Sequence, residues 1–267
     1  MLTKVLNKGQ KARFKILNYA DDTAAKLKML RSPQATYVPA IEQAFAEVEA
    51  KANARFGGWS LSKSAIYTLC LQLLAKTTAP VLIELGGGQS TLFWDAFAKN
   101  ANLPLRVITF EHNPRWADHV KKLLTPQTKV EMRILPLCQV SAQDKERMFA
   151  DRTHAFEIWQ ATRHNVPVAE YDNTRTPNAF YGVTPELVPP AQSVDAIVVD
   201  GPNGSGRSLA YPLLFKALKP QALVLIDDFD HYPFVPDLAR LYPFKPLAER
   251  THTSKHWVLL ALQPTQI

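Results

Sequence analysis

The sequence predicts an α/β protein built on a doubly wound, mostly parallel sheet of seven strands. Three observations predict it. Short apolar runs such as 81–83 alternate with stretches of helical periodicity such as 90–99, and this alternation is typical of parallel sheets with right-handed crossovers. A glycine-rich turn follows the first apolar run, and two strand-like segments separated by a polar turn end the chain. We therefore expect an antiparallel strand pair at one edge of the sheet.

Residues 1–58 are predicted to form a basic helical extension. Ile41, Phe45 and Val48 recur at spacings of four and three within residues 38–56, which is the period of an amphipathic helix. Residues 1–31 carry eight Lys or Arg against two Asp, so six of the seven net positive charges lie there. The segment is predicted to be either a surface for an anionic partner or a solvated helix packed by one apolar edge.

Residues 59–267 are predicted to form the cofactor-binding domain, in which helices and strands alternate. The predicted helices are 62–76, 90–99, 114–124 and 209–218, and the predicted strands are 81–83, 105–110, 129–135, 194–200, 222–226, 244–249 and 256–263. Residues 138–193 interrupt this regular order and exceed what a crossover helix needs. They contain many aromatic residues, so we expect an insertion that forms a wall or lid, with Tyr181 facing substrate.

Composition excludes several classes of protein. The apolar fraction of 46% and the charged fraction of 21% are ordinary for a globular chain. No apolar run approaches the roughly 20 residues that cross a bilayer, and the N-terminus lacks the pattern of a secretory signal. We therefore expect a cytoplasmic protein. The two cysteines show no spacing typical of a zinc or redox site.

A glycine turn follows the first predicted strand. In the segment VLIELGGGQSTLFW, Glu84 stands near the strand end, three glycines form the turn and Ser90 begins a helix. Glycines let a ligand approach the main chain, and the N–H groups of a helix start bind polar ligand atoms. The third glycine of the G-x-G-x-x-G dinucleotide fingerprint is missing, which disfavours a nicotinamide cofactor.

These residues resemble the first motif of the class I S-adenosylmethionine-dependent methyltransferases. Glu84, Gly86 and Gly88 match the motif, while Ser90 replaces its last glycine. The resemblance covers about residues 59–263 and implies a Rossmann-like methyltransferase fold with S-adenosylmethionine as cofactor. It also implies that an acid after the second strand, here Glu111, binds the ribose hydroxyls. The implied cofactor-binding residues are Glu84, Gly86, Gly87, Gly88, Ser90 and Glu111.

Three further acids follow two neighbouring strands. Asp200 ends the fourth strand, and Asp227 and Asp228 end the fifth, so all three are expected at one crevice. The arrangement is similar to that of metal-dependent O-methyltransferases of the catechol type, which implies a magnesium site that activates a substrate hydroxyl. Asp228 and Asn203 stand where that family has an amide and a lysine. Magnesium therefore remains open, because acids at strand ends also contact substrates or cap helices.

Two more residues are candidates for the chemistry. His231 follows the fifth strand and is either a general base, together with Asp200 and Asp227 as catalytic residues, or a loop histidine. Arg207 ends the glycine-rich turn 201–207 and is either the partner of an anionic substrate group or a member of a surface ion pair.

The sequence thus predicts an S-adenosylmethionine-dependent methyltransferase that acts on an oxygen of a small or glycan-like hydroxylated substrate. Two alternatives are a non-catalytic partner-binding module on the same fold and a nicotinamide-dependent oxidoreductase. A nucleic-acid substrate is disfavoured because residues 32–267 are nearly neutral, with 23 basic and 22 acidic residues.

Overall fold

The computed structural model describes residues 8–53, 55–58, 60–171 and 176–264. The start of the basic segment before Lys8, the domain boundary expected at Trp59 and residues 172–175 of the expected insertion lie outside the described residues. No helix in the described ranges combines the length and the apolar composition needed to cross a membrane.

The helices and strands follow each other in the order that the sequence predicts, with additional elements between residues 137 and 193 and an additional helix at residues 234–239. The helices are α1 (Lys8–Leu30), α2 (Val38–Ala52), α3 (Lys63–Leu74), α4 (Gln89–Asn100), α5 (Pro114–Leu123), α6 (Ala142–Ala150), α7 (Ala155–Thr162), α8 (Ala210–Leu214) and α9 (Phe234–Ala239). The strands are β1 (Val81–Leu85), β2 (Arg106–Glu111), β3 (Val130–Ile134), β4 (Leu137–Gln139), β5 (His164–Asn165), β6 (Ala179–Tyr181), β7 (Val194–Val199), β8 (Leu218–Asp227), β9 (Phe244–Arg250) and β10 (Trp257–Leu262).

The main sheet has seven strands in the order β3-β2-β1-β7-β8-β10-β9. Strand β1 pairs in parallel with β2 and with β7, whereas β10 pairs antiparallel with both β8 and β9. The predicted fold class is therefore confirmed, including the antiparallel C-terminal edge. Because the strand order reverses between β1 and β7, ligands are expected beyond the carboxyl ends of these two strands.

Apolar residues cover both faces of the sheet. Ile83 and Phe110 belong to a buried cluster on one face, while Leu82 and Val107 belong to a second cluster on the other face. Strands buried on both faces read as continuous apolar runs, which is why β1 and β7 were recognisable in the sequence.

The N-terminal helices complete the second of these clusters. Helix α2 buries Ile41, Phe45 and Val48, the three residues that predicted it, and the ring centroid of Phe45 lies 4.7 Å from that of Phe93 in α4. These side chains share their cluster with Leu82 of β1. Helices α1 and α2 therefore join the buried cluster on this side of the sheet by packing on α3 and α4, and the division of the chain at residue 58 stays a prediction.

The insertion forms a small antiparallel sheet in the order β5-β4-β6, together with α6 and α7. Trp159 of α7 is buried, and its indole Nε1 donates to the carbonyl of Val183 at 3.0 Å. Phe180 and Tyr181 lie in the same buried cluster as Ile83 of the main sheet. These aromatic residues therefore pack with the main sheet in one cluster, and the assignment of residues 138–193 as an insertion stays a prediction.

Candidate active site

A cavity of about 380 Å³ opens at the carboxyl ends of β1, β2, β7 and β8, where the strand order reverses. Of the residues predicted for the site, it is lined by Gly86, Gly87, Gly88, Ser90, Tyr181, Asp200, Arg207 and Asp228. Glu84, Glu111, Asp227 and His231 do not line it. Eight of the twelve predicted site residues therefore line one cavity, while the other four have other surroundings.

The glycine loop is held against the neighbouring strand end. Gly86 has a φ of +96°, a conformation that favours glycine, and its N–H donates to the carbonyl of Phe110 at 2.9 Å. A Cβ at Gly86 would lie 3.2 Å from the backbone nitrogen of Gly201. The loops after β1 and β7 thus approach so closely that side chains at these positions would push them apart.

Glu84 supports the glycine loop from below and does not face the cavity. Its buried carboxylate accepts hydrogen bonds from the Thr91 hydroxyl at 2.6 Å, the Thr109 hydroxyl at 2.9 Å and the Trp94 indole at 3.1 Å. Thr91 Oγ1 in turn accepts from the Gly88 N–H at 2.9 Å. Burial raises the pKa of Glu84 to about 7. The expectation of direct cofactor contact is corrected here, because Glu84 reaches the loop only through Thr91.

Glu111 lies directly behind the glycine loop. Its carboxylate accepts from the backbone N–H of Gly87 at 2.9 Å and from those of His112 and Asn113, both at 2.7 Å. Burial acts to raise the pKa of Glu111, but the contacts with His112 and the backbone N–H groups outweigh it and hold the pKa below its usual range. The group is therefore ionised at neutral pH, and its contact with a ribose stays a prediction.

The acids after β7 and β8 meet a lysine that the sequence analysis did not consider. Lys255 forms an ion pair with the fully buried Asp227, and its Nζ lies 3.6 Å from Oδ1 of Asp228. Burial raises the pKa of Asp200 and, together with the charge of Asp200, that of Asp227. Although burial alone would lower the pKa of Lys255, the neighbouring carboxylates raise it. The ammonium group is therefore charged at neutral pH.

This arrangement does not fit the predicted magnesium site. Within the described residues, no group of three or more His, Cys, Asp or Glu side chains is arranged to hold a metal ion. The positive charge between Asp227 and Asp228 is the ammonium of Lys255, which would repel a divalent cation. The three carboxylates are thus near one another, but two of them form ion pairs with Lys255 and the charge of the third, Asp200, also acts on it.

His231 does not face the cavity. Its side chain is 57% exposed, and its Nδ1 lies 3.9 Å from Oδ2 of Asp228. Asp228 has a φ of +49°, and the turn after it carries His231 away from the end of β8. The expectation that His231 acts as general base at the cavity is therefore not supported.

Arg207 is buried and is bound mainly to backbone groups. Its Nε donates to the carbonyl of Pro202 at 2.8 Å and its Nη1 to the carbonyl of Asp227 at 3.1 Å. The guanidinium also lies 5.5 Å from the ring centroid of Phe234. Arg207 thus joins the glycine-rich turn 201–207 to the end of β8 while still lining the cavity, so it is no surface ion pair.

Sequence reasoning missed other residues in the cavity wall, namely His112, Trp116 and Lys255. Trp116 donates its indole N–H to the carbonyl of Gly87 at 2.6 Å. Lys255 had no local signal, because its position depends on the antiparallel pairing of β10 with β8, and the sequence analysis predicted only that the two C-terminal strands pair with each other. The observed register pairs Trp257 with Asp227, which leaves Lys255 next to the acids.

The wall offers polar atoms that suit a polar ligand. Gln89 Nε2 and Tyr181 Oη are buried and have no hydrogen-bond partner among the residues that the structure describes. Both line the cavity together with the glycine loop and the first residues of α4. A buried polar group without a partner is unfavourable, so these atoms fit the polar groups of a ligand, either S-adenosylmethionine or its methyl acceptor, in a cavity of ordinary ligand size.

Comparison with known proteins agrees with this geometry. A family model described as a methyltransferase domain matches residues 83–229, more than half of the chain. No curated protein sequence matches the chain.

The solved structures that resemble this one include several methyltransferases. An O-methyltransferase from Bacillus cereus in complex with SAH is 14% identical over 84% of this chain and 91% of its own, with a TM-score of 0.46. A SAM-dependent O-methyltransferase from Thermotoga maritima is 11% identical over 83% of this chain and 72% of its own, with a TM-score of 0.46. A precorrin-6y C5,15-methyltransferase from Geobacter metallireducens is 14% identical over 76% and 89%, with a TM-score of 0.43.

The family match begins in β1 and ends just after β8, so it contains the glycine loop, Glu111 and the acids of the cavity. The chain therefore belongs to this methyltransferase-domain family, and the protein is a class I S-adenosylmethionine-dependent methyltransferase.

Proposed function

We propose that the protein methylates a hydroxyl oxygen of a small or glycan-like substrate. The observation that carries this proposal is that Asp200 and the glycine loop line the same cavity. A carboxylate beside the methyl donor is suited to receive the proton that a hydroxyl loses on methylation. Membership of an enzyme family removes the non-catalytic binding module and the nicotinamide-dependent oxidoreductase from consideration.

The cofactor-binding part of the proposal rests on the glycine loop. Bound S-adenosylmethionine supplies an electrophilic methyl group on a sulfonium sulfur. Because Gly86, Gly87 and Gly88 have no side chains, the polar end of S-adenosylmethionine can lie close to the main chain. Ser90 lies at the start of α4, where free backbone N–H groups favour polar or anionic atoms. Glu111 keeps an ionised carboxylate behind the loop, and its oxygens can accept further hydrogen bonds from ribose hydroxyls.

The acceptor side of the proposal involves two residues. In its ionised form, Asp200 orients the substrate hydroxyl and takes its proton, while Asp227 stays buried behind it. Tyr181 Oη, which lacks a partner among the described residues, donates a hydrogen bond to the substrate. Methyl transfer depends chiefly on aligning the oxygen with the methyl carbon and the sulfur, so rigid placement of these groups matters more than any covalent catalyst.

Calorimetric titration with S-adenosylmethionine and S-adenosylhomocysteine tests the cofactor site. We expect Glu111→Gln to weaken binding at least tenfold, because the amide carries no charge and has only one acceptor oxygen. Glu131→Gln is the matched control, since Glu131 lies on β3 at the sheet edge and pairs with exposed Arg106. Equal affinity in both variants would contradict the assigned role of Glu111.

Methyl transfer from labelled S-adenosylmethionine to a panel of hydroxylated small molecules and glycans tests the acceptor class. We expect product with an ether linkage, and a loss of kcat of at least 100-fold in Asp200→Asn with cofactor affinity retained. Transfer only to nitrogen or carbon acceptors would reject the oxygen assignment while leaving the cofactor site intact.

We also propose that α1 binds an anionic lipid surface. Ile16, Tyr19, Leu27 and Leu30 recur at spacings that place them on one face of the helix, and all four are exposed, Ile16 by 69% and Tyr19 by 75%. Basic residues of the same helix, among them Arg13 and Lys28, are exposed as well. Such a helix combines apolar burial with attraction to acidic headgroups.

The acids of α1 point the other way, which supports the same assignment. Asp21 is buried in an ion pair with Arg250, and Asp22 accepts from the Ser64 N–H at 2.8 Å. The outward face therefore carries positive charge that these two carboxylates do not neutralise, and a second copy of this basic face would be repelled.

Flotation with phosphatidylcholine vesicles, with and without phosphatidylserine, tests the lipid proposal. We expect binding only with phosphatidylserine, and a loss of at least fivefold in Ile16→Ser/Tyr19→Ser. Val168→Ser is the control, because Val168 is 68% exposed but lies in the insertion. Binding that is equal in both variants, or absent with phosphatidylserine, would reject the proposal.

A further inference from the structure

Lys255 is a buried cation whose position is fixed by the C-terminal strands. Its side chain is 4% exposed, and it lies two residues before β10. Strand β10 pairs antiparallel with β8, and the N–H of Asp228 donates to the carbonyl of His256 at 2.7 Å. The segment that carries Lys255 is therefore tied to the strand end that carries Asp227 and Asp228.

The lysine lies beside the acids that follow β7 and β8. It forms an ion pair with Asp227, which is completely buried, and it lies 3.6 Å from Asp228. The charges of Asp200 and Lys255 also interact. Buried carboxylates require a compensating charge or a proton, and Lys255 is the cation in direct ion-pair contact with Asp227 and Asp228 in the described part of the chain.

Arg207 is a second cation near the cluster, and it acts in a different way. Its charge acts to lower the pKa of Asp200, against the larger effect of burial, and its Nη1 donates to the backbone carbonyl of Asp227 at 3.1 Å. It therefore holds the strand end, while the carboxylates of Asp227 and Asp228 are in ion-pair contact with Lys255. The lysine also lines the cavity itself, as do Asp200 and Asp228. The ammonium therefore lies at the boundary between the buried acids and the space where substrate and cofactor would bind.

We propose that Lys255 is the resident cation of this acidic cluster, taking the place of a divalent metal and positioning Asp200 and Asp227 for catalysis. The inference rests on the methyltransferase activity but not on which acceptor is used. An ammonium group between the carboxylates neutralises part of their charge. It also occupies the space in which a metal ion would have to lie to bind their oxygens. The protein then methylates its substrate without magnesium.

Metal binding in the absence of substrate is the first test. Titration with Mn²⁺, followed by electron paramagnetic resonance, should show no high-affinity site in the wild type. Lys255→Ala should bind Mn²⁺ at least tenfold more tightly, because it leaves Asp227 and Asp228 without their ion-pair partner, and adding Asp227→Asn should abolish the gain. Circular dichroism and S-adenosylmethionine titration of each variant distinguish this result from misfolding and from failure of the cofactor site.

Lys145→Ala is the matched control for removing a buried lysine. Lys145 Nζ lies 2.9 Å from Oδ2 of Asp237, and both side chains are about nine-tenths buried, but the pair joins α6 to α9 and does not line the cavity. Its loss should create no Mn²⁺ site, because a single carboxylate cannot hold the ion. Equal Mn²⁺ affinity in wild type and Lys255→Ala would overturn the proposal.

Kinetics test the positioning role once a substrate is in hand. Lys255→Met should lower kcat at least tenfold with little change in KM for S-adenosylmethionine, and Lys255→Arg should restore most of the rate. Wild-type activity should be unchanged by EDTA. Three results together would show that the cluster is a metal site: tight binding of Mn²⁺ by the wild type, loss of that binding in the Asp227→Asn variant, and inhibition of the wild-type enzyme by EDTA. The proposal would then be wrong, whether or not the lysine variants fold.

Discussion

The contact between the loop after β1 and the loop after β7 depends on single glycine residues. Gly201 follows Asp200 directly, and a Cβ placed on it would lie 2.6 Å from Tyr181 Oη and 3.0 Å from the Cα of Gly86. Neither neighbour is free to retreat, because Tyr181 is buried in the insertion and Gly86 belongs to the glycine loop. One methyl group here would therefore change the distance between the donor side and the acceptor side of the cavity.

We expect Gly201→Ala to weaken S-adenosylmethionine binding at least tenfold and to lower the free energy of unfolding by about 1–3 kcal/mol, as overpacked sites do. Gly201→Ala/Tyr181→Phe should recover part of both losses, since it removes the closest atom. Tyr181→Phe alone serves as control, and isothermal calorimetry with thermal melts measures the four proteins. Identical affinity in wild type and Gly201→Ala would show that the loops can separate without consequence.

Asp22 provides a pH-dependent contribution to stability. Burial, with a smaller effect from Asp21, raises its pKa from 3.8 to about 6. A raised carboxyl pKa means that the folded state binds the proton more tightly than the unfolded state. The contribution of the protonated Asp22 to the stability of the folded state is therefore complete below about pH 4 and is lost as the pH rises through 6. Asn can still accept the hydrogen bond that Ser64 N–H donates to Asp22.

We therefore expect Asp22→Asn to stabilise the protein at pH 8 by about 2 kcal/mol, after allowance for solvent screening, and to have little effect at pH 4. Urea unfolding at both pH values measures the difference between the variant and the wild type. A stabilisation that is equal at pH 4 and pH 8 would mean that the carboxyl does not titrate in this range.

At the scale of elements, the central strands of the main sheet were predictable because they bury both faces, whereas the edge strands β3 and β9 are only partly buried. Strand β7 is buried throughout, and a continuous apolar run of this kind can be recognised in the sequence without knowing which strands it pairs with. In contrast, β4 and β5 contain three and two residues, too few for a periodic pattern. Lys255 was missed for a related reason: its role depends on pairing between β8 and β10, not on a local motif.

The insertion is expected to unfold together with the sheet, because its helix α7 buries Trp159 against it. Trp159→Ala should lower the free energy of unfolding by about 3–5 kcal/mol while the melt remains a single transition. Gln160→Ala is the control, since Gln160 is exposed on the same helix and should change stability by less than about 0.5 kcal/mol. An early separate transition in Trp159→Ala would instead identify the insertion as an independent unit.

At the scale of the whole molecule, the two faces of the sheet are covered by different parts of the chain. Helices α6 and α7 of the insertion contribute to the cluster on one face, and α2 to α4 contribute to the cluster on the other, where the ring centroids of Phe45 and Phe93 lie 4.7 Å apart. The N-terminal part also reaches the cavity, which Ala52, Gly58 and Ser60 help to line. The helical extension therefore contributes both to the core and to the wall of the active site.

This dual role predicts that residues 59–267 do not form a stable enzyme alone. Removing α2 would expose the apolar residues that pack on Ile41, Phe45 and Val48. Burying one apolar side chain of this size contributes about 1.5–3 kcal/mol to folding. The loss of three such contributions approaches the whole free energy of unfolding of a typical domain. We expect the fragment 59–267 to melt without cooperativity and to bind a hydrophobic dye. In contrast, a chain that lacks only residues 1–20 should melt within a few degrees of the full protein, and its only loss should be the binding of lipid vesicles. Cooperative unfolding of 59–267 with retained S-adenosylmethionine binding would instead establish residues 1–58 as a separate appendage.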